Sequence, residues 1–175
     1  YRKDLQGMCD SMTYTIADST LTLYKEPVLW SDENQLTSDS IKIVYANKEI
    51  DSLVLHDNCF IASRDDTATF NQIKGKNMVG YFSDNELYKI TVSGNSQTIY
   101  FVREDNGALI GINKVVSSKM LIFIKENEIK TITYIDLPKA TLYPEEEVPP
   151  AEMKLKGFKW MGGRRPLSSE DVFFG

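Results

Sequence analysis

One spacing constrains this chain more than any other feature. Ile50, Leu87 and Ile129 each follow a polar turn, Ala46-Asn47-Lys48-Glu49, Ser83-Asp84-Asn85-Glu86 and Lys125-Glu126-Asn127-Glu128, and they stand 37 and 42 residues apart. Nine, seven and five residues before each anchor come Ile41, Ile43 and Tyr45, then Met78, Gly80 and Phe82, then Met120, Ile122 and Ile124. Three and five residues after come Leu53 and Leu55, Ile90 and Val92, Ile132 and Tyr134. Only Gly80 breaks the apolar pattern. A fourth, worn copy opens the chain, with Met12, Tyr14 and Ile16 before a shorter turn and Leu21 and Leu23 after it. Side chains two apart on a strand share a face, so each copy reads as strand, turn, strand with one apolar stripe. Copies recurring at such a period must stack to bury their stripes, because one alone cannot.

A third β-rich segment follows each hairpin: Val28 to Trp30, Cys59 to Ala62, Thr98 to Val102 and Ala140 to Tyr143. No 3.6-residue periodicity is sustained, so the expected fold is all-β. It is a twisted, mostly antiparallel jellyroll or rolled solenoid of about a dozen short strands. Val79 with Tyr81, and Leu121 with Phe123, make two strands apolar on both sides, which predicts a second covered face or one kept for an apolar ligand.

The composition excludes several classes. With 175 residues the chain is long enough for one core without a metal or disulfide staple. A net charge of −5 gives no overall basic surface for nucleic acid. No apolar run approaches the length of a transmembrane helix. The chain opens at Tyr1, as expected of a trimmed or processed polypeptide, so a signal peptide would lie outside it. Cys9 and Cys59 lack metal-ligand spacing and read as two inert thiols or, less simply, one disulfide. His56 is the single histidine and reads as a strand-end surface residue. Triads, zincin motifs and phosphate loops are missing, so no catalytic residue, metal or cofactor is assigned. The acidic clusters read as solvated turn tips, and a glycan-cleaving carboxylate pair is the enzymatic rival.

After residue 143 the character changes. Residues 144–153 form an acidic, proline-bearing linker, and residues 154–175 a basic, aromatic segment of net charge +3, leaving −8 for the rest. This segment reads as a strand added at an edge by charge complementarity, or as a docking element. In the second case Lys154, Lys156, Lys159, Trp160, Arg164 and Arg165 would contact a partner or an anionic group.

The repeat, together with Asp32-Glu33-Asn34-Gln35-Leu36-Thr37, the run from Phe70 to Met78, the run from Asp84 to Ile90 and Leu155-Lys156-Gly157-Phe158-Lys159-Trp160, resembles the OstA/LptA-like family of lipopolysaccharide transport, in its Bacteroidetes OstA-like branch. The likeness covers about residues 10 to 165. It implies a V-shaped periplasmic β-jellyroll that takes acyl chains of lipopolysaccharide or lipid A into an apolar groove, without catalysis or cofactor. It also implies stacking on other such domains, or on itself, through open edges. Carried onto matching positions, the groove candidates are Ile41, Ile43, Tyr45, Leu53, Leu55, Met78, Phe82, Ile90, Val92, Ile122, Ile124, Ile132 and Tyr134. The alternative is a structural β-module that stacks edge to edge without binding lipid. Departures from the family pattern are Gly80, the longer third copy and the charged tail.

Overall fold

Strands form here because β-branched and aromatic residues alternate with polar ones, and they turn where Asn, Asp and Gly tolerate positive φ. A computed structural model describes residues 5–171, apart from positions 85 and 127. It holds twelve strands: β1 (Gln6–Met8), β2 (Ser11–Thr15), β3 (Thr20–Tyr24), β4 (Val28–Ser31), β5 (Asn34–Thr37), β6 (Ser40–Ala46), β7 (Glu49–Arg64), β8 (Phe70–Ser83), β9 (Glu86–Arg103), β10 (Leu109–Lys125), β11 (Glu128–Ile135) and β12 (Lys139–Pro144). Every described ladder is antiparallel, and the sheet is unclosed. The expected all-β, twisted jellyroll is what the chain adopts.

The long strands bend at one level. Ladder irregularities fall between His56 and Cys59, between Lys74 and Asn77, and between Ser117 and Lys119. At that level stand pairs of positive-φ residues: Asp57 and Asn58 inside β7, Gly94 and Asn95 inside β9, Lys25 and Glu26 between β3 and β4, Asp136 and Leu137 between β11 and β12. Such bulges bend a strand and raise its twist. Each long strand therefore serves two half-sheets. His56 is exposed, within hydrogen-bond reach of Asn77, and lies at this bend rather than at a strand end.

The first half-sheet consists of four hairpins side by side, in the order β2, β3, β6, β7, β8, β9, β10, β11. Its register lines up Leu23, Ile41, Leu55, Met78, Val92, Met120 and Tyr134 in one row, so the stripes merge on the inward face. The strand continuations form the second half-sheet with β1, β4, β5 and β12. Its inward residues Leu29, Leu36, Cys59, Ile61 and Ile73 pack in the same core as the first half-sheet's stripes. Gly80 leaves a gap in the stripe that Leu87 fills, its Cδ1 lying 3.0 Å from where a Cβ on Gly80 would stand. Both cysteines are free thiols, and burial pushes Cys59 up to about 12.

The tail corrects one expectation. No strand forms over residues 154–171, so the segment is not an added edge strand. It crosses the outer face of the second half-sheet instead. The preceding acidic stretch carries short 3₁₀ turns at Glu145–Glu147 and Pro150–Met153.

Candidate functional site

Two features stand out, a cavity between the half-sheets and the strap formed by the tail. Paired residues Gln6, Trp30, Gln35, Ala62, Gln72, Ile99 and Lys114 run in one line across the outer face of the second half-sheet. The strap follows this line from β10 to β1. At roughly 4.8 Å per strand the six steps span about 29 Å. Gln72 donates from Nε2 to the Met153 carbonyl (2.9 Å), and its Oε1 accepts from the Leu155 N–H (2.8 Å). Gln35 repeats the arrangement on the Lys159 carbonyl (2.7 Å) and the Met161 N–H (2.6 Å).

In an extended chain the carbonyl of one residue and the N–H two residues on point the same way. One amide side chain therefore satisfies both, as a neighbouring strand would. The glutamines are nearly inaccessible (Gln35 2%, Gln72 1% exposed), so unpaired amides there would be costly. At either end an ion pair between Lys114 and Glu152, and hydrogen bonds from Arg165 to Gln6 Oε1 (2.8 Å) and the Asp32 carbonyl (2.5 Å), complete the row.

Apolar contacts fill the spaces between these clamps. Leu155 is buried with Phe60, Ala62, Ile99, Phe101 and Ile112. Phe158 packs on Phe60 and Phe70, and Trp160 on Phe70, with the Arg64 guanidinium 5.5 Å from the Trp160 ring. Gly157 permits the turn between Leu155 and Phe158 by taking φ +95°, a region open to glycine. Of the tail residues expected to meet a partner, Lys154, Lys156, Lys159 and Arg164 are exposed, whereas Trp160 and Arg165 are half-buried in the contacts just described. The outer face of the first half-sheet has no such cover among the described residues. There Val79, Tyr81 and Leu121 are half-buried and Phe123 is 42% exposed.

The cavity occupies about 210 Å³ between the half-sheets. Buried Leu36, Ile50, Leu53, Ile61, Ile73 and Ile90 form its walls, with Leu5, Phe82, Leu87, Ile124 and Ile129 around them. Exposed Asp32 and Glu86, with Ser31, Asn34 and Ser63, line its polar end, which opens to solvent. Ser63 donates to Asn34 there.

All thirteen groove candidates belong to the inward core or pack against it. Four of them, Leu53, Phe82, Ile90 and Ile124, line the cavity. Ile41, Ile43, Leu55, Met78, Val92 and Ile122 are buried away from its walls, and Tyr45, Ile132 and Tyr134 are half-buried at the margin. Tyr134 bonds Thr98 across the half-sheets at 3.1 Å, and burial raises its phenol. The lining residues not among the candidates include Ile50, Leu87 and Ile129. These are the three anchors of the repeat, so their position just after each turn was the available signal. Leu36, Ile61 and Ile73 come from the second half-sheet, where no stripe was assigned. No group of three or more His, Cys, Asp or Glu side chains is placed to hold a metal ion among the described residues.

The architecture has a solved counterpart. This chain is similar in fold to LptH. That protein, from Pseudomonas aeruginosa, is described as the LptA-homologous periplasmic component of the conserved lipopolysaccharide transport device. The TM-score is 0.60, the alignment covers 82% of this chain and 100% of LptH, and 8% of residues are identical. At that identity the likeness shows the fold alone. No family model and no curated protein sequence matches the chain.

Proposed function

We propose that this protein is a non-catalytic periplasmic module of the OstA/LptA-like family. In this reading it carries acyl chains of lipopolysaccharide or lipid A toward the outer membrane, for transport or assembly there. The observation that carries the reading is the cavity, which is apolar inside, polar at one end and formed from the repeat's own anchor positions. Its volume exceeds the roughly 150 Å³ that accepts a benzene ring, so it suits part of one hydrocarbon chain. A six-carbon stretch buried there contributes about 5 kcal/mol before the cost of association, so the site binds no tighter than about 0.2 mM through that contact. Weak holding of this kind suits a site that must pass its cargo on. Open edges supply the partner contacts: among the described residues β2 is bonded only to β3, and it carries exposed Met12 and Tyr14, with exposed Ile16 in the turn that follows. These edges would join other such domains or a second copy.

Ile90→Trp tests the reading by filling the cavity. An alkyl-chain fluorophore is expected to partition into the native protein and to lose that binding in the variant while the unfolding midpoint holds. Equal binding by both proteins removes the cavity from the account. A second reading, a structural module that stacks without lipid, is favoured by the burial of six candidates in the core away from the cavity walls. It predicts no uptake by either protein and unchanged self-association.

A further inference from the structure

The strap presents to solvent a face that neither the cavity nor the core requires. Between residues 154 and 165 the chain carries five cations and no acid, against a net charge of −5 for the whole. Four of them, Lys154, Lys156, Lys159 and Arg164, are exposed, while the clamps below hold the strap by its backbone. Exposed Arg64 extends the patch beside Trp160. Glu152 pairs with Lys114, while Glu26 and Asp39 lie beside the middle of the strap, near Lys159. Interleaved with the cations are the half-exposed Trp160 and Met161 and, just beyond Arg165, Leu167 at 81% exposure.

We propose that this face docks the protein on a lipid surface bearing anionic headgroups. Cations alone would suit an acidic polypeptide equally well. Cations alternating with an indole and aliphatic side chains match the interface of a bilayer, where basic residues meet headgroups and amphipathic rings sit at their level. Position favours the same occupant. Arg165 ends the strap by bonding the carbonyl of Asp32, which itself lines the cavity's open end, so a membrane under the strap lies next to the opening. The purpose of such docking, loading or unloading a chain, rests on the carriage reading; the contact itself does not.

The experiment floats the full protein with vesicles of phosphatidylcholine, with and without one quarter phosphatidylglycerol, at 0.1 M salt. Binding is expected only with the anionic lipid. K154Q/K156Q/K159Q should weaken it by about fivefold per cation, on the order of a hundredfold in all. K48Q/K119Q/K125Q, of equal net charge and exposed on the other half-sheet, should leave it largely intact. The chain has two tryptophans, and Trp30 is 1% exposed. A blue shift on vesicle addition that disappears in Trp160→Phe therefore reports the strap. Equal losses in both lysine variants, no vesicle binding, or the same Trp160 shift with polyglutamate and none with vesicles would overturn the proposal. An Ile90→Trp protein that still floats but takes up no alkyl probe separates docking from carriage.

Discussion

Gln35 and Gln72 illustrate how a polar side chain earns a buried position. Each spends both amide atoms on the strap's backbone, so the residue acts as one rung of a sheet turned through a right angle. Replacing Gln72 by Ala leaves the Met153 carbonyl and Leu155 N–H without partners in a buried setting, a loss of about 2–3 kcal/mol. Urea unfolding is expected to show that drop, with Gln97→Ala, an exchange at a glutamine with no clamp among the described contacts, costing well under half as much. Nothing in the local sequence distinguishes the clamping glutamines from ordinary strand residues. Their role depends on a segment more than 80 positions away, with |i−j| of 124 for the Gln35 to Lys159 bond.

Among the elements, the β7–β8 loop is held by Arg103, whose guanidinium pairs chiefly with Asp65 and lies 3.8 Å from Asp66. Arg103 on β9 reaches Asp65 at 2.7 Å, and Thr69 donates to the same carboxylate at 2.8 Å. Partial burial pushes the Asp65 carboxyl up, but the bonds from Arg103 and Thr69 and the guanidinium charge outweigh it and hold it below the usual carboxylate range. A lowered native pKa adds stability above the unfolded value, about 3.9, and that stability is lost as pH falls through the native one. Native protein is therefore expected to exceed Asp65→Asn in urea midpoint at pH 6. The gap should close below about pH 4. A constant gap from pH 6 to pH 3 would show that charge at Asp65 plays no part. The bends within the strands were partly legible: Asp57-Asn58 and Gly94-Asn95 are residue types that accept positive φ. Lys25, Glu26 and Leu137 are not, and they take that conformation because the half-sheets must close over a shared core.

For the whole molecule, β2 has a ladder partner on one side only among the described residues, and its apolar side chains are out in solvent, with Met12 66% and Tyr14 57% exposed and Ile16 in the following turn 82% exposed. Exposed apolar edges pair unless they are blocked. Light scattering over a wide concentration range is expected to show growing assemblies, and Tyr14→Lys to shift the onset upward about tenfold or more, the effect of roughly 1.4 kcal/mol. A native protein that stays monomeric throughout would set stacking aside.

The sequence by itself determined the hairpins, their stripes and their order, because period-two alternation fixes which face a side chain takes and the turn residues fix where the chain reverses. It also marked the inward face on which all thirteen candidates lie. Which of those positions border empty space, and where the tail goes, only the tertiary structure decided. A cavity is the difference between two half-sheets' facing shapes. The strap's course depends on buried amides brought into line by a register that spans seven strands.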